Sequence, residues 1–396
     1  RKEKQIQVCR GNMSKSYIKL GELASYINGY AFKPKDRGSE GLPIIRIQDL
    51  TGSSNDKGFY KGTYPSKIEI NNGDVLISWS ASLGVYVWNN GKALLNQHIF
   101  KVVFDKGEID KDYFVYAVQF SLHRMRQLTH GATMKHVVKK DFENVLIPYP
   151  SLKDQRKVAH VLDKLKEPTN KKMDELTKLD ELIKARFVEM FGDPINNQKG
   201  WKILRIEDLV ENNKYAIKAG PFGSALKKEF YVSKGYKIYG QEQVIKNDPS
   251  FGNYYISQEK YTSLKNYRVK AGDVLISLVG TYGKLMIMPD DYELGIINPR
   301  LIKITFDKDL VNPIYFKYFF QSDAEKKVLT HNTHGGTMGI LNVKIIRKVA
   351  LPLPPLALQN EFANFVQQVD KSKVAVQKSL DETQKLFDSL MQEYFG

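Results

Sequence analysis

The chain has a single cysteine, Cys9, among 396 residues. No disulfide framework is possible, and a reducing, cytoplasmic setting is expected. Neither Cys-x-x-Cys nor a Cys/His set with zinc spacing occurs. The seven histidines include no His-x-x-x-His pair on one helix face. No apolar run approaches ~18 residues, so no segment reads as a membrane-spanning helix. Gly-x-Gly-x-x-Gly and the phosphate-binding P-loop are both missing. No Asp…(Asp/Glu)-x-Lys run stands out as a nuclease centre, and Gly52-Ser53-Ser54 has no neighbouring histidine pattern. Residues 1–12 are polar and lack the apolar stretch of a signal peptide, and Met13 offers a second starting point beside Arg1.

What is abundant is positive charge. Lys and Arg number 60 against 44 Asp and Glu, a net +16 with a pI of about 9.4. Such an excess suits a polyanion, because each neutralised phosphate releases a counterion. A merely basic globular protein is the plainer reading, and the interleaving of Lys with Tyr tips the balance toward nucleic acid. The length favours two or three domains, and 42% hydrophobic residues let each half bury a core.

The chain also says nearly the same thing twice. Residues 130–192 and 334–396 align without a gap at an offset of 204. His130-Gly131-Ala132-Thr133-Met134 answers to His334-Gly335-Gly336-Thr337-Met338, Pro148 and Pro150 to Pro352 and Pro354, and Gln155 to Gln359. Upstream, Gly73-Asp74-Val75-Leu76-Ile77-Ser78 recurs letter for letter as residues 272–277, and Asn96-Gln97-His98 matches Asn298-Pro299-Arg300. The offset grows from 186 to 204 along the chain, so loops have varied between fixed elements. A period this long signals a duplicated domain.

Within each copy the pattern is mixed. Val75–Ser78 and Val274–Leu278 read as buried strands entered by Gly-Asp, and Phe100–Phe104 and Ile302–Phe306 as further strands. Tyr113–Leu122 and Pro313–Phe320 read as helices, and Val145–Pro148 and Val349–Pro352 as last strands stopped by proline. Beyond the prolines, Val158, Leu162, Leu165, Leu176, Leu179, Ile183 and Met190 alternate in steps of three and four. Phe362, Val366, Val369, Val376, Leu380, Phe387, Leu390 and Tyr394 do the same, a heptad seam over about five repeats. Each helix would run ~36–39 residues, or ~55 Å. Pro168 should kink or split the first, and Thr169 and Lys172 leave its seam polar for one heptad. Such a stripe needs a partner, most simply the other copy laid antiparallel. The fold class expected is α+β: two tandem mixed α/β domains separated and joined by two long antiparallel coiled-coil helices, with pseudo-twofold symmetry. The boundaries read are 14–150, 151–192, 193–355 and 356–396. A pair of ordinary core helices is the plainer alternative.

This layout resembles the DNA specificity subunit of Type I restriction-modification systems. The resemblance rests on the duplicated Gly-Asp-Val-Leu-Ile-Ser strand, the proline pair followed by Gln155 or Gln359, and the helix ending Met190-Phe191-Gly192-Asp193-Pro194. It covers essentially residues 14–396. It implies two target-recognition domains that each read half of a split double-stranded DNA sequence, and helices that act as a ruler for the unread spacer. It further implies no catalysis and no cofactor in this chain. Two methylation subunits carrying S-adenosylmethionine chemistry on adenine, and restriction subunits using ATP and Mg, would supply the activities. The competing reading is an enzyme, a DNA methyltransferase or nuclease with its own site; a scaffold for RNA or protein is another. Asn298-Pro299-Arg300 resembles the Asn-Pro-Pro-aromatic signature of amino-methyltransferases but lacks its second proline and its aromatic.

Phosphates call for Lys and Arg, and base edges for Arg, Gln, Asn, Ser or Thr. Residues of these kinds at strand ends and in Gly-rich turns are, in the first domain, Lys33, Lys35, Arg46, Gln48, Ser78, Ser80, His130, Thr133 and Lys135. In the second they are Lys218, Gln241, Glu242, Thr281, Tyr282, Lys284, Arg300, His334 and Thr337. For each, a solvated surface residue or turn former is the plain alternative. Trp79 is expected to cap a core.

Overall fold

The computed structural model describes residues 16–54, 56–80, 82–128, 138–193, 196–278, 283–322 and 342–396. They form two compact units, Arg1–Met173 with Lys378–Gly396, and Asp174–Gln377.

The first unit holds β1 (Tyr17–Lys19), β2 (Ser25–Asn28), β3 (Leu42–Ile45), β4 (Gly58–Tyr60), β5 (Glu69–Ile70), β6 (Val75–Ser78), β7 (Gly84–Val87), β8 (Ala93–Leu95), β9 (Ile99–Val103) and β10 (Leu146–Pro148). Two four-stranded sheets result, ordered β2-β9-β6-β7 and β4-β3-β8-β5, with a ribbon β1-β10. The second unit repeats them with β11 (Lys202–Arg205), β12 (Ile217–Ala219), β13 (Tyr231–Val232), β14 (Tyr236–Tyr239), β15 (Tyr255–Ile256), β16 (Val274–Ser277), β17 (Leu285–Ile287), β18 (Gly295–Ile297), β19 (Leu301–Ile304) and β20 (Ala350–Leu353). Its sheets are β12-β19-β16-β17 and β13-β15-β14-β18, with the ribbon β11-β20. Among the described strands, each unit has one parallel pair, β3 with β8 and β14 with β18. The registers agree: Ser78 lies opposite Ile99, and Ser277 opposite Leu301.

The repeated sextet has a mechanical explanation. Gly73 and Gly272 take φ of 89° and 80°, a region open to glycine. Each following aspartate closes the turn, Asp74 accepting from the Asn71 N–H at 2.8 Å and Asp273 from Lys270 at 2.9 Å. Each also pairs with a lysine of the next strand, Lys101 at 2.9 Å and Lys303 at 3.7 Å. The four residues that follow are buried in both copies, because β6 and β16 are central strands.

The glutamine after the prolines is equally structural. Gln155 and Gln359 are buried, and their side chains accept from the Asp110 and Asn312 N–H groups, both at 2.9 Å. Their amides donate to the Pro150 and Pro354 carbonyls, again at 2.9 Å. Each staple ties the start of a long helix to the start of the aromatic helices Lys111–Leu128 and Pro313–Phe320. Pro148 ends β10 as expected, while β20 runs one residue past Pro352; a two-stranded ribbon leaves one edge with no donor to supply.

The long helices are Leu152–Phe191 and Leu356–Phe395, 40 residues each. In the first unit, Val158 and Leu162 share a core with Leu390, Met391, Tyr394 and Phe395. In the second, Ile183, Phe187 and Phe191 share one with Phe362, Val366 and Val369. The start of one helix thus meets the end of the other in each unit, which is antiparallel pairing. The first helix runs unbroken through Pro168, so the expected split does not occur. The polar heptad is used: Lys172 donates to the Ser379 carbonyl at 2.9 Å and to Thr383 Oγ1 at 2.8 Å. Thr169 Oγ1 donates to the Leu165 carbonyl at 2.8 Å.

Candidate nucleic-acid interface

In both units, strand ends from the two sheets converge on one edge. In the first, β6 ends where β9 begins, β2 ends opposite Phe100, and parallel β3 and β8 end at Ile45 and Leu95. Backbone bonds knit the edge, from Asn96 N–H to Ile45 O at 3.1 Å and from Gln97 N–H to Tyr30 O at 3.0 Å. In the second, Asn298 N–H donates to Tyr239 O at 2.8 Å and Leu278 N–H to Arg300 O at 3.0 Å. A glycine crosses under each turn so closely that a Cβ on Gly29 would sit 2.2 Å from Asn96 O, and one on Gly220 1.8 Å from Asn298 O. Only glycine permits that approach. The result is a rigid rim bearing loops, the usual place for recognition residues.

Arg300 stands exposed on this rim, its backbone N–H held by Asn298 Oδ1 at 2.9 Å. The turn itself accounts for Asn298-Pro299-Arg300, which joins β18 to β19. Gln241 and exposed Glu242 open the short helix Gln241–Lys246 directly after β14, on the same rim. Lys284 is exposed at the start of β17, beside the end of β16. In the first unit, exposed Lys33 precedes the short turn Pro34–Asp36 and exposed Lys35 lies within it, just beyond Tyr30. Exposed Gln48 lies in the helix Ile47–Thr51 that follows β3, and half-buried Ser80 follows Trp79.

Other nominated residues are engaged within the fold. Ser78 is 0% exposed, and its hydroxyl donates to the Ser82 carbonyl, with the Gly84 carbonyl 3.4 Å away. Its reading as a base contact is corrected: it closes the β6–β7 hairpin from inside. Arg46 braces its own turn, with Nε 3.1 Å from Asp49 Oδ2 and a terminal nitrogen 2.9 Å from Ser54 Oγ. Burial pushes the Asp49 carboxyl up, but hydrogen bonds from Arg46 and Ser54 together with the Arg46 charge outweigh it and hold it below the usual carboxylate range. Lys218 sits mid-strand in β12, its ammonium 5.2 Å from the Tyr267 ring and 5.6 Å from that of Tyr215. Trp79 packs toward the core as expected, stacked on Phe100 at 5.7 Å. His130, Thr133, Lys135, Thr281, Tyr282, His334 and Thr337 lie outside the described residues.

Sequence reasoning passed over two neighbours of the rim. Gln97 and His98 are exposed, and His98 holds the place of Arg300 in the other copy. The alignment of the two turns carried that signal. Phe222 had no such signal, because only tertiary placement reveals its exposure.

The family model described as the Type I restriction modification DNA specificity domain matches residues 14–180 and 198–383. The chain is 22% identical to the Escherichia coli Type I restriction enzyme EcoBI specificity subunit, over 96% of this chain and 85% of that one. It is also 22% identical to the MjaVIII specificity subunit of Methanocaldococcus jannaschii, over 94% and 90%. Among solved structures, its fold is similar to the S subunit of a Type I restriction-modification system from M. genitalium, with a TM-score of 0.57 at 14% identity, covering 98% and 97% of the two chains. A chain from work on complex assembly and conformational transition of the type I R-M system matches with a TM-score of 0.53 at 17% identity, covering 96% and 97%. Matched twice over most of its length, the chain belongs to the Type I restriction modification DNA specificity domain family.

Proposed function

We propose that this chain is the non-catalytic, sequence-specific DNA-binding subunit of a Type I restriction-modification complex. Each unit reads one half of a bipartite target, and the paired helices set the spacer and dock two methylation subunits. S-adenosylmethionine chemistry on adenine belongs to those partners, and ATP- and Mg-dependent cleavage to restriction subunits where present. The observation that carries the reading is the rim built twice on one scaffold with different side chains, His98 against Arg300, Ile47 against Gln241 and Gln48 against Glu242. Matching strand order with divergent rims is what two readers of different sequences need. Arg offers guanine O6 and N7 two donors, Gln offers adenine a donor and an acceptor, and Glu accepts from cytosine N4. Lys33, Lys35 and Lys284 supply phosphate contacts, and the net +16 supplies the field that draws duplex DNA in. Ser80 and the nominated residues of 129–137, 279–282 and 323–341 complete the set.

The test is methylome sequencing after co-expression with the methylation subunit. The expected outcome is methylation at a motif of two short blocks separated by a fixed unread gap. A single continuous motif, or binding of S-adenosylmethionine by the purified chain, would defeat the reading.

A further inference from the structure

Phe222 is 67% exposed, more than any other aromatic among the described residues. It stands on the rim of the second unit, two residues beyond the glycine that crosses under the Asn298 turn. Its base is rigid. Gly220 N–H donates to Leu301 O at 2.9 Å, Pro221 is buried, and Gly223 turns the chain with φ of 61° into the short helix Gly223–Ala225. The residues that follow, Gly223, Ser224 and Ala225, are too short to shield a phenyl ring. A single exposed apolar side chain is ordinary on a protein surface. This one is held by a fixed turn on the rim that carries Arg300 and Gln241, with exposed Lys228 close behind.

Of the groups that base pairs display in the major groove, only the thymine 5-methyl is apolar, and an aromatic ring is one of its known complements. We propose that Phe222 is a specificity-determining residue that packs against a thymine methyl in the second half-site. The proposal rests on the DNA-reading function above and adds a contact that hydrogen-bonding residues cannot make. Among the described residues of the first unit no counterpart has equal freedom: after Gly29 comes Tyr30, 43% exposed and in edge contact with Phe32 at 5.0 Å.

The experiment uses the full-length chain and duplexes carrying the bipartite site defined by methylation mapping. Each thymine of the second half-site is replaced in turn by deoxyuridine, which removes only the methyl. The wild-type chain should lose roughly fourfold in affinity at one position, the worth of one buried methyl group. Phe222→Ala should bind the parent duplex more weakly and be indifferent to that replacement, with its response to the first half-site unchanged. An identical uridine response in wild type and Phe222→Ala would overturn the proposal, as would a second half-site with no thymine on either strand. Failure of the wild-type chain to prefer the bipartite duplex over a scrambled one would instead bring down the recognition reading beneath it.

Discussion

Arg300 and Arg46 show how one residue type takes opposite roles. Arg300 is anchored by its backbone N–H to the Asn298 side chain and stands exposed on the rim, whereas Arg46 turns inward onto Asp49 and Ser54. Arg300→Ala should relax one position of the second half-site by roughly 1–3 kcal/mol and leave the others intact, as a binding series over single base-pair substitutions would report. A uniform loss at all sequences would reassign it to the phosphate backbone. Asp49 predicts a pH effect. Its folded pKa is depressed, so its contribution is complete above the ordinary carboxylate value of about 4 and fades as pH falls through the folded one. Asp49→Asn should destabilise the first unit by roughly 1–2 kcal/mol at neutral pH, and the deficit should shrink as melts are repeated toward pH 3. A deficit independent of pH would mean the carboxylate charge is irrelevant. The buried Asp273–Lys303 pair differs: burial raises the Asp273 carboxyl and lowers the Lys303 ammonium, each opposed by the other's charge.

The long helices owe their existence to pairing. Between the well-buried ends of the first helix, Leu165, Thr169, Lys172, Leu176 and Leu179 are only half-buried. Pro168 forfeits one backbone donor, yet the helix continues because the seam on either side still holds its partner. One heptad inserted into each helix keeps the stripes facing and adds ~10.5 Å, about three base-pair steps. The methylated motif should keep both half-sites and gain a longer gap. A changed half-site with an unchanged gap would remove the helices from any measuring role.

For the molecule as a whole, the net charge and the doubled rim set different observables. Affinity for duplex DNA should fall steeply with salt, and Lys33→Ala and Lys35→Ala should each lower the slope of log K against log salt by about one without changing the motif. Rim changes should alter the motif with little effect on that slope. An unaltered slope in the double lysine variant would show that these side chains are away from phosphate.

The amino-acid pattern alone determined much of this. The duplication, the buried Gly-Asp strands, the aromatic helices and the heptad seams were all legible, because burial and turn chemistry impose local periodicities. The nature of the paired motifs was less so. Gln155 and Gln359 announce themselves by repetition, but that they staple backbone across more than forty residues is a tertiary fact. Which side chains reach the rim was decided only in three dimensions. Ser78 and Arg46 have the right chemistry and the right place in the chain, and packing turned both inward, while Phe222 carried no sequence signal and packing left it out. Periodicity records which face a core needs, whereas the exposure of one side chain depends on the distant strands that meet beside it.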